Sequence, residues 1–160
     1  MRWCTERMTA VDLDLLERLQ AIEEMAFAEA GMNPWFLVPF MRHGRIYVIR
    51  SETEIAAGLA EYMKNYEEDG LVYLFGVSVD PQYQGHGLGK QLLQESLKDI
   101  RRDGILKVEL TVEPDNAVAR ALYHDLGFEE TAYRPDEYGP GQDRVAMELV
   151  LSRLKEDTNA

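Results

Sequence analysis

Apolar residues in this chain change period as it runs. Leu15, Leu19, Ile22 and Ala26 recur at helical spacing with acidic residues between them, which predicts a helix entered from Thr9, a cap with Asp12 three residues on, and stopped by Gly31. A second helix is expected over 33–41, with Pro34 in its first turn and Pro39 ending or kinking it. Arg2 to Met8 reads as a first strand and Ile46 to Ile49 as another. A turn at 51–54 leads to a return strand from Ile55 to Met63, bulged at Gly58. After an acidic loop, Asn65 to Gly70, the longest apolar run (71–79) predicts a strand buried on both faces. Leu88, Leu92, Leu93, Leu97 and Ile100 mark one side of a helix that Gly104 ends. Val108, Leu110 and Val112 alternate with Glu109, Thr111 and Glu113 on a strand. A helix over 116–126, capped by Asp115 or Asn116 and closed by Gly127, precedes two last strands, 128–133 and 145–151. The order β-α-α-β-β-β-α-β-α-β-β predicts an α/β or α+β sheet with both faces covered.

The 160 residues suit one domain, expected over 1–154, with 155–160 as a flexible tail. The chain is 46% hydrophobic and 29% charged, the balance of a soluble protein with a core. No apolar run approaches the roughly 20 residues of a membrane span, and the N-terminal residues lack a secretory pattern. Cys4 is the only cysteine, so no internal disulfide forms; a cytoplasmic protein is expected. A net charge of -12 argues against a nucleic-acid partner and favours encounter with cationic substrates.

Candidate chemistry centres on Gln84-Gly85-His86-Gly87-Leu88-Gly89-Lys90, a glycine turn opening the third helix. Free backbone N–H groups at a helix N-terminus bind phosphate without a basic side chain. A dinucleotide site wants Gly-x-Gly-x-x-Gly in a leading βαβ unit, whereas this spacing is Gly-x-Gly-x-Gly after several strands. A Walker-type loop wants Gly-Lys-Ser/Thr, and Lys90 is followed by Gln91. Coenzyme A is the third possibility.

Gln84-x-x-Gly87-x-Gly89 behind Val77-x-Val79-x-Pro81 resembles motif A of the GNAT-superfamily N-acetyltransferases. Asn116-x-x-Ala119-x-x-Leu122-Tyr123-x-x-x-Gly127-Phe128 is similar to the family's motif B, and both stand in the family's order. The look is nearest to ribosomal-protein alanine N-acetyltransferases. The resemblance implies a mixed, mostly antiparallel sheet of about seven strands with four helices, splayed between the strands before and after the glycine turn. It further implies that backbone N–H groups of Gly85, His86, Gly87, Leu88, Gly89 and Lys90 hold the pyrophosphate of acetyl-CoA, with Gln84 beginning the turn. Main-chain groups of Val77, Ser78 and Val79 would pair with the pantetheine arm, and the Val79 amide would face the thioester carbonyl. Asn116 would contact the pantetheine side, and Tyr123, also beside the cofactor, would act as general acid on the departing thiolate.

A general base is less plain. Ribosomal-protein acetyltransferases carry a glutamate where Thr111 stands, and histone-type relatives carry one where Tyr73 stands. Glu109 and Glu113, two residues to either side of Thr111, are the candidate bases, with Glu61 as another; a base-free route through ordered water also stands. Trp35, Phe36, Tyr133, Arg134 and Tyr138 are the expected walls of an acceptor groove. His43, His86 and His124 show no metal-ligand spacing, so no metal is expected. The expected activity is transfer of acetyl from acetyl-CoA to a primary amine, either a protein N-terminus or a small amine, by an enzyme that could be a homodimer. The alternative is a non-catalytic acyl-CoA-binding domain of the same fold.

Overall fold

A computed structural model describes residues 1–156. Seven strands lie in one mostly antiparallel sheet: β1 (Cys4–Arg7), β2 (Arg45–Arg50), β3 (Gly58–Lys64), β4 (Leu71–Val79), β5 (Lys107–Val112), β6 (Glu129–Arg134) and β7 (Arg144–Val150). Their order is β1-β2-β3-β4-β5-β7-β6. Four helices accompany them: α1 (Leu13–Phe27), α2 (Pro34–His43), α3 (Leu88–Arg102) and α4 (Ala117–Leu126). The chain divides into two compact units, 1–63 with 74–96 and 64–73 with 97 onward.

In the first unit the core joins Leu15, Leu16, Leu19 and Ile22 of α1 to Leu37 and Met41 of α2 and to Ile46, Val48 and Leu59 of the sheet. Leu19 and Ile22 are wholly buried, each contributing roughly 1.5–3 kcal/mol by transfer from water. Several local expectations shift. The cap of α1 is Asp12, whose carboxylate accepts the Leu15 N–H at 3.0 Å, rather than Thr9. The α-helix stops at Phe27, and Gly31 instead ends a short 3-10 turn, Ala28–Ala30. Pro39 lies inside α2 without ending it, and the Gly44 N–H closes on the Phe40 carbonyl at 2.8 Å. Gly58 begins β3 rather than bulging it: a Cβ there would come within 2.7 Å of the Ser78 carbonyl oxygen.

In the second unit the inward residues of β5 meet those of β7 in register, Val108 with Leu149, Leu110 with Met147 and Val112 with Val145. Asn116 caps α4, its side-chain oxygen accepting the Ala119 N–H at 3.1 Å. The parallel ladder of β4 with β5 covers Leu71–Tyr73 against Lys107–Glu109, and β4 runs on past it to Val79. That strand is not buried throughout: Phe75 is 50% exposed, its ring tilted against that of Phe40 with centroids 5.5 Å apart. Of the expected tail, the Lys155 N–H donates to the Leu126 carbonyl, and Glu156 pairs with Lys98 and Arg101. The remainder of that tail lies outside the described residues.

Candidate active site

Strand β4 leaves the sheet through Asp80, a 3-10 turn over Pro81–Tyr83, and the glycine turn. Gly85 and Gly87 have φ of +83° and +76°, a region costly for side-chain-bearing residues, and no heavy atom lies within 4 Å of where either Cβ would stand. The turn is therefore open on the side where two side chains would otherwise project. The Gln91 N–H donates to the Gly87 carbonyl at 3.0 Å, so the N–H groups of Leu88 and Gly89 precede the helical ladder. Leu88 itself is buried and anchors the turn, while the Gln84 amide donates to the Val79 carbonyl at 3.0 Å. Together these features fit a diphosphate held by main-chain donors and the positive end of α3.

The approach to this turn is braced by α1. The Arg18 guanidinium donates to the Ala56 carbonyl at 2.9 Å and to Asp80 at 2.5 Å, and it lies 3.4 Å from Glu54. Asp80 also accepts the Gln82 N–H at 2.8 Å, and Glu54 accepts the Tyr83 hydroxyl at 2.7 Å. Burial alone would push the Asp80 carboxyl up; the Arg18 and Gln82 hydrogen bonds outweigh it and hold the carboxyl below the usual range.

The second unit carries its own polar cluster. The Tyr73 and Thr111 hydroxyls, at the two positions where the resemblance would place a glutamate, hydrogen-bond each other at 2.8 Å, and the Tyr138 hydroxyl lies 3.4 Å from that of Tyr73. Burial, then the Tyr138 hydroxyl and the Glu109 charge, push Tyr73 up to about 12 against the opposing Thr111 bond. Tyr73 thus keeps its proton at neutral pH. Arg134 donates to Glu109 at 2.8 Å and lies 3.7 Å from Glu137. Glu109, a candidate base, stands in this ion pair with Arg134. Glu113, the other candidate, is 59% exposed beside Arg144. Arg144 stacks over the Tyr138 ring at 4.7 Å, and the Tyr133 hydroxyl donates to Asp143 at 2.5 Å. Burial pushes the Tyr123 hydroxyl up to about 12, and its ring meets Phe128 at 5.7 Å. Asn116 is exposed, with its oxygen committed to the helix cap.

Trp35 and Phe36 belong to the first unit, where they stand on α2 at 87% and 60% exposure while Leu37 and Met41 take the inward positions. The same unit holds a pairing that the sequence reading, which named Glu61 alone as a further candidate base, did not foresee. Glu61 of β3 and Glu23 of α1 are both buried and hydrogen-bonded to each other. Glu23 also accepts the Met32 N–H at 3.1 Å and, at 3.4 Å, the Ser78 hydroxyl. Burial first, then Glu23, push the Glu61 carboxyl well above the usual range. The sequence held a signal: Glu23 follows Leu16 and Leu19 on the apolar stripe of α1, and Glu61 shares the inward parity of Leu59.

Residues 13–128 match the model of the acetyltransferase (GNAT) family. The chain belongs to the GNAT family. It is 38% identical over 82 residues to the [ribosomal protein bS18]-alanine N-acetyltransferase of Salmonella typhimurium, covering 49% of this chain and 55% of that protein. The chain thus spans about half the length of the curated relatives it matches. The crystal structure of the ribosomal-protein-S18-alanine N-acetyltransferase from Escherichia coli superposes with a TM-score of 0.76 at 25% identity, over 98% of this chain and 99% of that one. A Bacillus subtilis acetyltransferase in complex with CoA shares the fold with a TM-score of 0.72 at 18% identity, over 93% of this chain and 99% of that one. The glycine turn and the Asn116–Phe128 segment of this GNAT chain both fall inside the matched region.

Proposed function

We propose that this GNAT chain is an N-acetyltransferase that moves acetyl from acetyl-CoA to a primary amine, with a protein N-terminus as the leading acceptor class. The observation that carries the reading is the open turn at Gly85 and Gly87, a cradle that any Cβ would fill. When bound, acetyl-CoA supplies the activated acetyl thioester. The chain's part is to hold it and manage protons. Backbone N–H groups from Gly85 to Lys90 take the diphosphate, main-chain groups of Val77 to Val79 take the pantetheine arm, and Asn116 adds a contact on that side. Tyr123 stays protonated at neutral pH and faces the departing sulfur as donor. With a hydroxyl near 12 and a thiol near ~8.5, complete transfer is uphill by about 3.5 units, so its contribution is a hydrogen bond as negative charge builds.

Tyr133, Arg134 and Tyr138, and separately Trp35 and Phe36, are the acceptor-contacting residues in this reading. The resemblance to proteins named for acetylating a ribosomal protein's alanine supports a peptide acceptor, and the chain's acidity suits a cationic one. The reading also sets the enzyme in the cytoplasm, without metal or nucleic acid, and leaves it free to pair as a homodimer. Among the described residues no helix is long and apolar enough to cross a membrane. Thiol release from acetyl-CoA, measured with an alanine-initiated peptide and with spermidine, tests the activity. Amine-dependent release supports it, while binding without release against a broad amine panel leaves an acyl-CoA-binding domain.

A further inference from the structure

An amine must lose a proton before it can attack, because alkyl ammonium groups hold theirs to roughly pH 10 and terminal ones to about 8. Of the candidate positions on and opposite β5, Tyr73 and Thr111 are hydroxyls bonded to each other, Glu109 is tied to Arg134 and Glu113 stands exposed beside Arg144; Glu61 is the remaining candidate. The first unit holds a better acceptor. Glu61 is 1% exposed and Glu23 is 3% exposed, two acids in one buried site. The Glu61 Oε1 atom is buried without a hydrogen-bond partner, although buried polar atoms are nearly always satisfied. Its Oε2 lies 3.0 Å from where a Cβ of residue 76 would stand, but residue 76 is glycine. Gly76 is part-exposed, so no side chain of β4 stands between this position and the carboxylate; we call it the notch. Ser78, two residues on along β4, is bonded to Glu23 and directly precedes Val79.

We propose that Glu61, paired with Glu23 and reached through the notch at Gly76, is the group that takes the proton from the acceptor amine. This rests on the acetyltransferase reading. One ammonium proton passes to the Glu61 carboxylate, either directly or through one water in the notch. The freed nitrogen pair then forms the bond to the thioester carbonyl carbon. The carbon–sulfur bond breaks, the sulfur keeps that pair, and the second nitrogen proton neutralises the thiolate. The proton on Glu61 returns to solvent after product leaves. A carboxylate held above its usual range is a stronger base than an exposed one, which suits the task. Among the described residues, Glu23 on α1 is the only ionisable group acting on Glu61. Ile46 stands opposite Glu61 on β2, and Gly76 of β4 lies beside its Oε2.

The test compares Glu61→Gln, Glu23→Gln and Gly76→Ala with the unaltered protein, using the alanine-initiated peptide and spermidine as acceptors. With the internal acceptor, kcat/KM stays nearly level for a unit or two below the amine's pKa. In Glu61→Gln it falls tenfold per pH unit there, because only amine already neutral in solution reacts. At pH 7 the loss is expected to be about tenfold with the peptide, one unit below its amine's value, and about 1000-fold with spermidine, three units below. Gly76→Ala, which closes the notch and keeps both acids, gives the same change of slope. Calorimetric affinity for acetyl-CoA stays unchanged in all three. A variant slope equal to that of the unaltered protein, or an equal loss at every pH, overturns the proposal while leaving the acetyltransferase reading intact. An unaltered protein that binds acetyl-CoA yet acetylates neither probe overturns both.

Discussion

Gly87 and Gly104 offer a controlled pair for the phosphate cradle. Both have positive φ, +76° and +83°, and neither has any atom within 4 Å of the place of a Cβ. Replacing either with alanine therefore imposes the same backbone penalty, about 1–2 kcal/mol, with no packing clash. For a chain of 160 residues, that lowers the melting temperature by about 2–8 °C in both variants. Only Gly87 lies in the turn assigned to the diphosphate. Its new methyl group displaces at least one main-chain donor from a phosphate oxygen, a charge-assisted bond of about 1.5–3 kcal/mol. The acetyl-CoA dissociation constant should then rise about 10- to 150-fold in Gly87→Ala and not at all in Gly104→Ala. Calorimetric titration of each variant with acetyl-CoA, beside a thermal melt, gives both numbers. Equal affinities in the two variants, or equal losses, would refute the assignment of the turn.

Two further outcomes follow from the polar networks. Arg18→Ala should cost about 1–3 kcal/mol of stability, discounted for the 21% exposure of Arg18, and should weaken acetyl-CoA binding severalfold with kcat little changed. Asp80 is depressed in the folded state, so its contribution is present above the unfolded value of about 3.9 and is lost as pH falls through the lower folded value; an acid titration of Arg18→Ala should lack that loss. Tyr123→Phe should lower kcat about 100-fold with unchanged acetyl-CoA affinity. Because Tyr123 ionises at about 12 in the fold and about 10 when unfolded, its contribution is complete below pH ~10 and declines by about 1.4 kcal/mol per unit between the two, a decline that Tyr123→Phe should remove from an alkaline stability series.

Much of the fold was readable because its elements carry strong periodic patterns. The alternation of Val108, Leu110 and Val112 became the buried face of β5, and the five apolar positions of α3 are all buried. What the pattern missed depended on competition between local signals. Thr9 was read as the cap with Asp12 behind it, and the carboxylate, nearer the first apolar turn, took the role itself. Pro39 sits in α2 because the helix tolerates one missing donor where Leu37 and Met41 anchor it in the core. In the site, the glycine turn was legible because its spacing carries its own chemistry. The ion pair of Glu109 with Arg134 was not, since it joins residues 25 apart in sequence. Nor was the pairing of Glu23 with Glu61, because either charge alone reads as a solvated one. The hydroxyl bond of Tyr73 with Thr111 likewise follows from strand pairing, Tyr73 standing opposite Glu109 in a parallel ladder.

The central claim is that backbone amides of one turn hold the diphosphate of acetyl-CoA. Backbone 15N–1H shifts recorded during titration with acetyl-CoA, and in parallel with acetyl-pantetheine, test it most directly. The amides of Gly85 to Lys90 should move with acetyl-CoA and stay in place with acetyl-pantetheine, which lacks the diphosphate. Stationary amides in that turn, while others shift with acetyl-CoA, would contradict the assignment.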